Sequence, residues 1–112
     1  MTRRTYRCPA EVTLCVIAGV WKVPILYHLS GKVRRFSELR SDLGTVTQKV
    51  LTQQLRQLEQ DGLVRRKVYA QVPPKVEYSL TSLGESLRPV IGAMCRWGEE
   101  HRSVMRRRED SI

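Results

Sequence analysis

Lys49, Thr52, Gln53, Arg56 and Gln60 are the side chains whose types and spacing suggest chemistry first. Advancing about 100° per residue from Leu51 puts Leu51, Leu55 and Leu58 on one stripe of a helix and those five on the opposite side. None of the five is apolar or acidic, so that side could lie in the major groove of a duplex without repelling phosphate. Arg and Lys pair with guanine edges and Gln with adenine. Thr47 and Gln48, at the start of the same helix, are placed to meet phosphates or base edges. An ordinary solvated face would have a similar composition, so the helix needs its neighbours to be interpretable.

Two basic clusters flank it. Lys32, Arg34 and Arg35 precede a short helix that Ser37 is expected to cap, and Arg65, Arg66, Lys67 and Lys75 decorate a pair of strand-like runs further on. The expected DNA contacts are Arg35, Ser37, Arg65, Arg66, Lys67 and Lys75, with the basic ones on phosphate, Thr47 and Gln48 on phosphates or base edges, and Lys49, Thr52, Gln53 and Arg56 toward the groove. The bulk charge agrees. Twenty Lys and Arg stand against eleven Asp and Glu in 112 residues, a net charge of +9. That excess favours a polyanionic partner, with nucleic acid ahead of an anionic membrane surface.

Catalysis has no visible apparatus. The chain shows no nucleophile–base pairing, phosphate loop or metal-binding helix, and His28 and His101 are its only histidines. No cofactor is expected. Cys95 and His101 lack a metal-ligand spacing, so no metal is expected either. Three cysteines, Cys8, Cys15 and Cys95, are too few and too widely spaced for a disulfide framework. Cys8 sits beside Arg3, Arg4 and Arg7 just before a helix start, a setting that favours thiolate and reaction with oxidants. It could equally be a bystander. Cys15 and Cys95 fall on apolar helical stripes and are expected to be small inert hydrophobes.

The elements that must position these residues follow from apolar periodicity and breakers. A basic arm over residues 1–9 ends at Cys8-Pro9, and Pro9 can open a helix carrying Val12, Val16 and Ile17, expected to be buried. Gly19 ends it. Trp21 to Leu29 forms a second helix with Pro24 in its first turn, stopped by Gly31. A third runs from Ser37 to Leu43 and Gly44 breaks the chain. The fourth, capped by Thr45 or Thr47, runs to about Asp61 and is closed by Gly62. Strands over Leu63 to Tyr69 and Lys75 to Leu80 flank an Ala70-Gln-Val-Pro-Pro74 tip, with Val76, Tyr78 and Leu80 on one face of the second. Thr81 or Ser82 caps a last helix, with a Ser82–Glu85 capping box and a kink at Pro89, that runs to about His101. A basic tail over 102–112 closes the chain and is expected to fray. The fold class is therefore mainly α with a small β-hairpin, in winged helix-turn-helix order, with one domain over residues 10–101.

The last helix carries a second pattern. Leu83, Leu87, Val90, Met94, Trp97, His101 and Val104 follow a four–three rhythm, widened by Ile91 and Cys95. The stripe is long for a small domain to bury alone, and the rhythm is coiled-coil-like, so Leu83, Leu87, Val90, Ile91, Met94, Trp97 and Val104 are expected to join two copies. A twofold dimer presents two recognition helices and predicts a palindromic site on double-stranded DNA. Arg3-Arg4 ahead of the apolar run from Val12 to Trp21 faintly suggests a secretion signal. Pro9, Glu11 and Lys22 interrupt that pattern, no small-residue cleavage site follows, and no run nears a membrane span, so a cytoplasmic protein without a membrane partner is expected.

At this point the residues resemble a known family. Cys8-Pro-Ala-Glu11, Gly19-Val-Trp-Lys22, Arg35-Phe-Ser-Glu-Leu39, Leu51-Thr-Gln-Gln-Leu-Arg-Gln-Leu-Glu59, Asp61-Gly-Leu-Val64, Val72-Pro-Pro-Lys-Val-Glu-Tyr-Ser-Leu-Thr81 and Leu83-Gly84 look like the HxlR family of bacterial transcriptional regulators. Val20 departs from the Gly-Lys pair more usual before the tryptophan, at a structural position. The resemblance spans about Cys8 to Glu99 and implies a dimeric winged-helix repressor or activator, distantly akin to MarR-type regulators, joined through its terminal helices. Some members of that family sense oxidants or electrophiles through a cysteine placed like Cys8, so an oxidant or small-molecule inducer is implied, with Cys15 or Cys95 as a possible resolving thiol. The reading that competes with sequence-specific regulation is a non-specific architectural DNA-binding protein.

Overall fold

The computed structural model describes residues 5–106, so residues 1–4 of the basic arm and 107–112 of the basic tail lie outside the described part. Helix α1 (Pro9–Ile17) opens on an extended Cys8 with Pro9 in its first turn, where a missing N–H costs nothing. It ends at Ala18, and the next helix, α2 (Lys22–Leu29), is bent from it by 81°. Strand β1 (Arg34–Arg35) leads straight into α3 (Phe36–Leu43), followed by α4 (Gln48–Gln60), β2 (Val64–Tyr69) and β3 (Lys75–Leu80). A single turn, α5 (Ser82–Glu85), precedes α6 (Arg88–His101). The sheet is antiparallel in the order β1-β3-β2, with Val64 opposite Leu80, Tyr69 opposite Lys75 and Arg35 opposite Glu77.

Local chemistry sets the joints. Thr47 is the cap of α4, its Oγ1 accepting the Val50 N–H at 3.1 Å. At the other end Leu63 N–H donates to the Leu58 carbonyl and Gly62 N–H to that of Glu59, with Gly62 at φ 77°. This is a glycine-closed C-cap that turns the chain into the hairpin. Thr81 ties the far end of that hairpin to its beginning: its Oγ1 donates to the Gly62 carbonyl at 2.5 Å and accepts the Gly84 N–H at 3.1 Å. A Cβ on Gly84 would run into the Leu63 carbonyl, so only glycine permits α5 to pack there.

Three expectations are corrected. Ser37 does not cap α3: the helix begins one residue earlier at Phe36, and the Arg35 N–H is satisfied by Glu38 Oε1 at 2.8 Å, leaving Ser37 exposed within the first turn. The Ser82–Glu85 capping box gives way to Thr81, while Glu85 pairs with Arg88 at 3.0 Å. The last helix is broken, not kinked, with Ser86 and Leu87 between α5 and α6 and Pro89 in the first turn of α6.

The core gathers Ile25, Leu26 and Leu29 of α2, Leu39 of α3, the Leu51-Leu55-Leu58 stripe of α4, and Tyr78 and Leu80 of β3. Of the α1 residues expected to be buried, Ile17 is and Val16 packs half-buried against the core, but Val12 is about half exposed, as is Leu14. No single helix among the described residues is long and apolar enough to cross a membrane.

Candidate nucleic-acid interface

Helices α3 and α4 and the turn at Gly44–Thr47 form a helix-turn-helix, and the β2–β3 hairpin follows as a wing. The turn is braced by Arg40, whose Nε donates to the Val46 carbonyl at 3.3 Å, and by burial of Val46. With Leu51, Leu55 and Leu58 anchored in the core, the rest of α4 is forced outward. Thr47, Gln48, Lys49, Gln53, Arg56 and Gln60 are exposed. Thr52 is half-buried, and its hydroxyl donates to the Gln48 carbonyl at 2.8 Å. It therefore offers a groove a methyl and lone pairs, but no hydrogen.

The outward residues are divided between two directions. Gln48, Thr52, Arg56 and Glu59 turn toward the wing and, with Phe36, Leu55, Arg66, Val76 and Tyr78, line a cleft of about 330 Å³. Lys49, Gln53 and Gln60 lie further round the helix, at the point most distant from the leucine stripe. On the other flank Phe36, Ser37, Arg40, Ser41, Gly44 and Gln48 line a shallower hollow between α3 and α4. Arg40, Ser41 and Glu59 were not singled out from sequence. A helical wheel places Glu59 beside Arg56, whereas Arg40 and Ser41 are recognised only once α3 is set against α4.

The basic clusters also separate. Alternation along the sheet puts Arg66 on the face toward α4 and Arg65 and Lys67 on the opposite face with Tyr69, Lys75 and Glu77. Arg35, opposite Glu77, joins this outer group, while Arg34 turns inward and is held by Asp42 at 2.9 and 3.0 Å and by Glu38 at 3.7 Å. Arg34 is thus committed to the protein's own acids. On the outer face the ammonium groups of Lys67 and Lys75 lie 4.8 and 4.6 Å from the Tyr69 ring centre. The Tyr69 hydroxyl donates to Glu77 at 2.7 Å, and Lys75 pairs with Glu77 at 3.5 Å. That hydrogen bond, with support from Lys75 and Arg35 and against partial burial, holds the Glu77 carboxyl below its ordinary pKa. Lys75 is consequently half-buried and paired, whereas Arg35, Arg65 and Lys67 are open to solvent.

The second pattern lies along α6. Val90, Met94 and Trp97 are exposed, as are Leu83 before the helix and Val104 after it; Trp97 is 54% and Val104 74% accessible. Ile91 is a correction: only 3% accessible, it points into the protomer's own core, and Leu87 is half-buried against that core. Trp97 stacks on His101 with ring centres 4.3 Å apart, and His101 Nδ1 lies 2.8 Å from the Trp97 carbonyl. All three cysteines are exposed and none is in a disulfide, so Cys15 and Cys95, expected as small inert hydrophobes, have their thiols open to solvent. Arg7 beside Cys8 is drawn to Glu11, Nε to Oε1 at 2.8 Å. Among the described residues no three His, Cys, Asp or Glu side chains gather into a set that could hold a metal ion.

Comparison with known proteins agrees with this geometry. A family model described as HxlR-like helix-turn-helix matches residues 16–106. The chain is 52% identical over 98 residues to the uncharacterized HTH-type transcriptional regulator YybR of Bacillus subtilis, covering 88% of this chain and 78% of that protein. Among solved structures, the redox regulator HypR in its reduced form superposes with a TM-score of 0.85 at 50% identity, over 88% of this chain and 98% of that one. Diamide-treated YodB from B. subtilis superposes with a TM-score of 0.71 at 31% identity, over 86% and 96%. The chain belongs to the HxlR-like helix-turn-helix family and is a winged-helix transcriptional regulator.

Proposed function

We propose that this protein acts in the cytoplasm as a homodimer that binds a palindromic operator, with α4 in the major groove and the wing on the flanking backbone. The observation that carries the reading is the exposed side of α4. Thr47, Gln48, Lys49, Gln53 and Arg56 project from a helix whose leucines are locked in the core, so a rigid element presents base-pairing side chains with no acid among them. Arg56 is assigned to base edges, and Arg35, Ser37, Arg65, Arg66 and Lys67 to phosphates. Two copies joined through Leu83, Val90, Met94, Trp97 and Val104 would cover the apolar surface of α6 and present two such helices.

Selection of bound duplexes from a random pool, followed by footprinting, tests the reading. An inverted-repeat consensus is expected; its absence would favour non-specific architectural binding. Arg56→Ala should relax preference at one position of each half-site and cost about 1–3 kcal/mol there, with little change on random DNA. A uniform loss across sequences would reassign Arg56 to phosphate.

The same protein is proposed to respond to thiol oxidation through Cys8. Its thiol is exposed at the start of α1, and similar regulators, HypR and YodB, have been solved in oxidised or diamide-treated states. Exposed Cys15 and Cys95 are then available partners across a dimer. Diamide should alter operator binding of the wild type and spare Cys8→Ser. An identical response in both proteins discards the sensor.

A further inference from the structure

Arg66 and Glu59 meet across the cleft between α4 and the wing. Arg66 Nε lies 3.5 Å from Glu59 Oε1, with the two side chains 49% and 35% accessible. Among the described residues Glu59 is the one acidic side chain in the cleft wall, which also holds Arg56, Gln48 and Thr52. Arg66, Glu59 and Arg56 line the cleft with Tyr78, the residue across the strand pair from Arg66; burial raises the pKa of the Tyr78 hydroxyl, the two arginines oppose the rise and Glu59 adds to it. Two guanidinium groups and one carboxylate therefore share a space that opens where α4 would meet DNA.

An exposed pair of this kind adds little to folding stability. A carboxylate beside the recognition surface also repels phosphate. Its position has a use if it competes for Arg66. Arg66 cannot make close contact with Glu59 and with a DNA phosphate at full strength in both. A duplex held only by the outer arginines and lysines leaves Arg66 on Glu59. A duplex that lets α4 seat fully brings its backbone to the cleft and can take Arg66 over.

Building on the assignment of α4 to the groove, we infer that Glu59 is a specificity-determining residue: an internal stand-in for a DNA phosphate that withholds Arg66 from loosely docked DNA and yields it to the fully seated operator. The contact counts only in the complex that specificity requires, so non-specific affinity is lowered with little loss on the operator.

The test compares wild type, Glu59→Gln, Arg66→Ala and the double variant on two duplexes: a random-sequence one and the operator obtained by selection. Binding is followed by fluorescence anisotropy between about 50 and 200 mM salt. Glu59→Gln should tighten random DNA about fivefold and steepen its log K against log salt slope by about 0.9, the signature of one added phosphate contact. On the operator, affinity should stay within about twofold and the slope unchanged. With Arg66 already alanine, Glu59→Gln should leave the random-DNA slope where it was. Equal tightening on both duplexes, or the same gain without Arg66, means a bulk charge effect and overturns the proposal. Weakened operator binding would make Glu59 a direct base contact and overturns it too. Wild-type protein that fails to discriminate between the duplexes removes the groove assignment of α4 itself, and the role of Glu59 with it.

Discussion

The surface built on α4 and the wing and the surface built on α6 are both exposed, yet they are finished to different degrees. On the first, several polar groups have internal partners that set their direction, while Lys49, Gln53, Arg56, Arg65 and Lys67 stand in solvent. Thr52 is bonded to Gln48, Arg66 to Glu59, and Tyr69 to Glu77 with two lysines over its ring. The apolar stripe of α4, Leu51, Leu55 and Leu58, is in the core, and the exposed apolar residues of the wing are confined to Val68 and to Val72 at its tip. On the second, Met94, Trp97 and Val104 have their apolar surface toward solvent, and α1 adds Val12 and Leu14 to the exposed apolar residues of the protomer. A polar surface can wait for its ligand fully hydrated. An apolar one of this extent costs free energy until something covers it. Under the proposed function the contrast separates its two halves: recognition by side chains partly held in place, and assembly through an apolar surface that a single copy leaves uncovered.

The largest effect expected is at the incomplete surface. Trp97→Glu should convert a dimer to monomers at micromolar concentration, read by light scattering. Operator affinity should fall by about 10²–10⁴, because the second half-site then binds as an independent event. Random DNA, which does not need two aligned half-sites, should lose far less. A dimer that survives this substitution would place the subunit contact elsewhere and break the comparison.

How far the comparison was readable from sequence depends on the range of the interactions. The α4 stripe was legible because leucines at Leu51, Leu55 and Leu58 have one period and a clear cap and stop, and the hairpin because Val76, Tyr78 and Leu80 alternate around a Pro-Pro tip. Strand β1 was not, since two residues have no alternation to read and exist as a strand only by pairing with β3. Nor was the burial of Ile91, which shares its stripe with exposed Val90 and Met94 and differs only in which way the core lies. The break at Ser86 and Leu87 depends on Thr81 holding the Gly62 carbonyl, nineteen residues back, and on Gly84 packing against Leu63. The Glu59–Arg66 meeting likewise requires α4 and β2 to be placed before it can be seen.

A smaller effect sharpens the contrast within one protein. Leu55→Ala removes a side chain that is 1% accessible and should lower the unfolding free energy by about 2–5 kcal/mol. Met94→Ala removes one of similar size from the exposed stripe. Measured by urea unfolding in the monomeric Trp97→Glu background, it should cost no more than about 0.5 kcal/mol. Comparable losses at the two sites would show that α6 is already packed within the protomer, and the distinction between a finished and an unfinished surface would fail.

The smallest effect tests whether the wing is as preorganised as its contacts suggest. Glu77 is held below its ordinary pKa chiefly by the Tyr69 hydroxyl, with Lys75 and Arg35 assisting and burial opposing. A depressed folded-state pKa means that the folded state prefers the carboxylate. The resulting stabilisation is present above the unfolded-state pKa and is lost as pH falls through the folded-state value. Tyr69→Phe deletes the largest cause while keeping the ring that Lys67 and Lys75 approach. Glu77 should then titrate closer to its ordinary value, followed through its side-chain carboxyl carbon by NMR. The variant should be slightly less stable than wild type near neutrality and indistinguishable from it once both carboxyls are protonated. The salt dependence of DNA binding should stay as it was, because neither lysine has lost its ring. An unmoved Glu77 titration would show that the hydroxyl does not fix the carboxylate, and that the outer face of the wing is set by strand pairing alone.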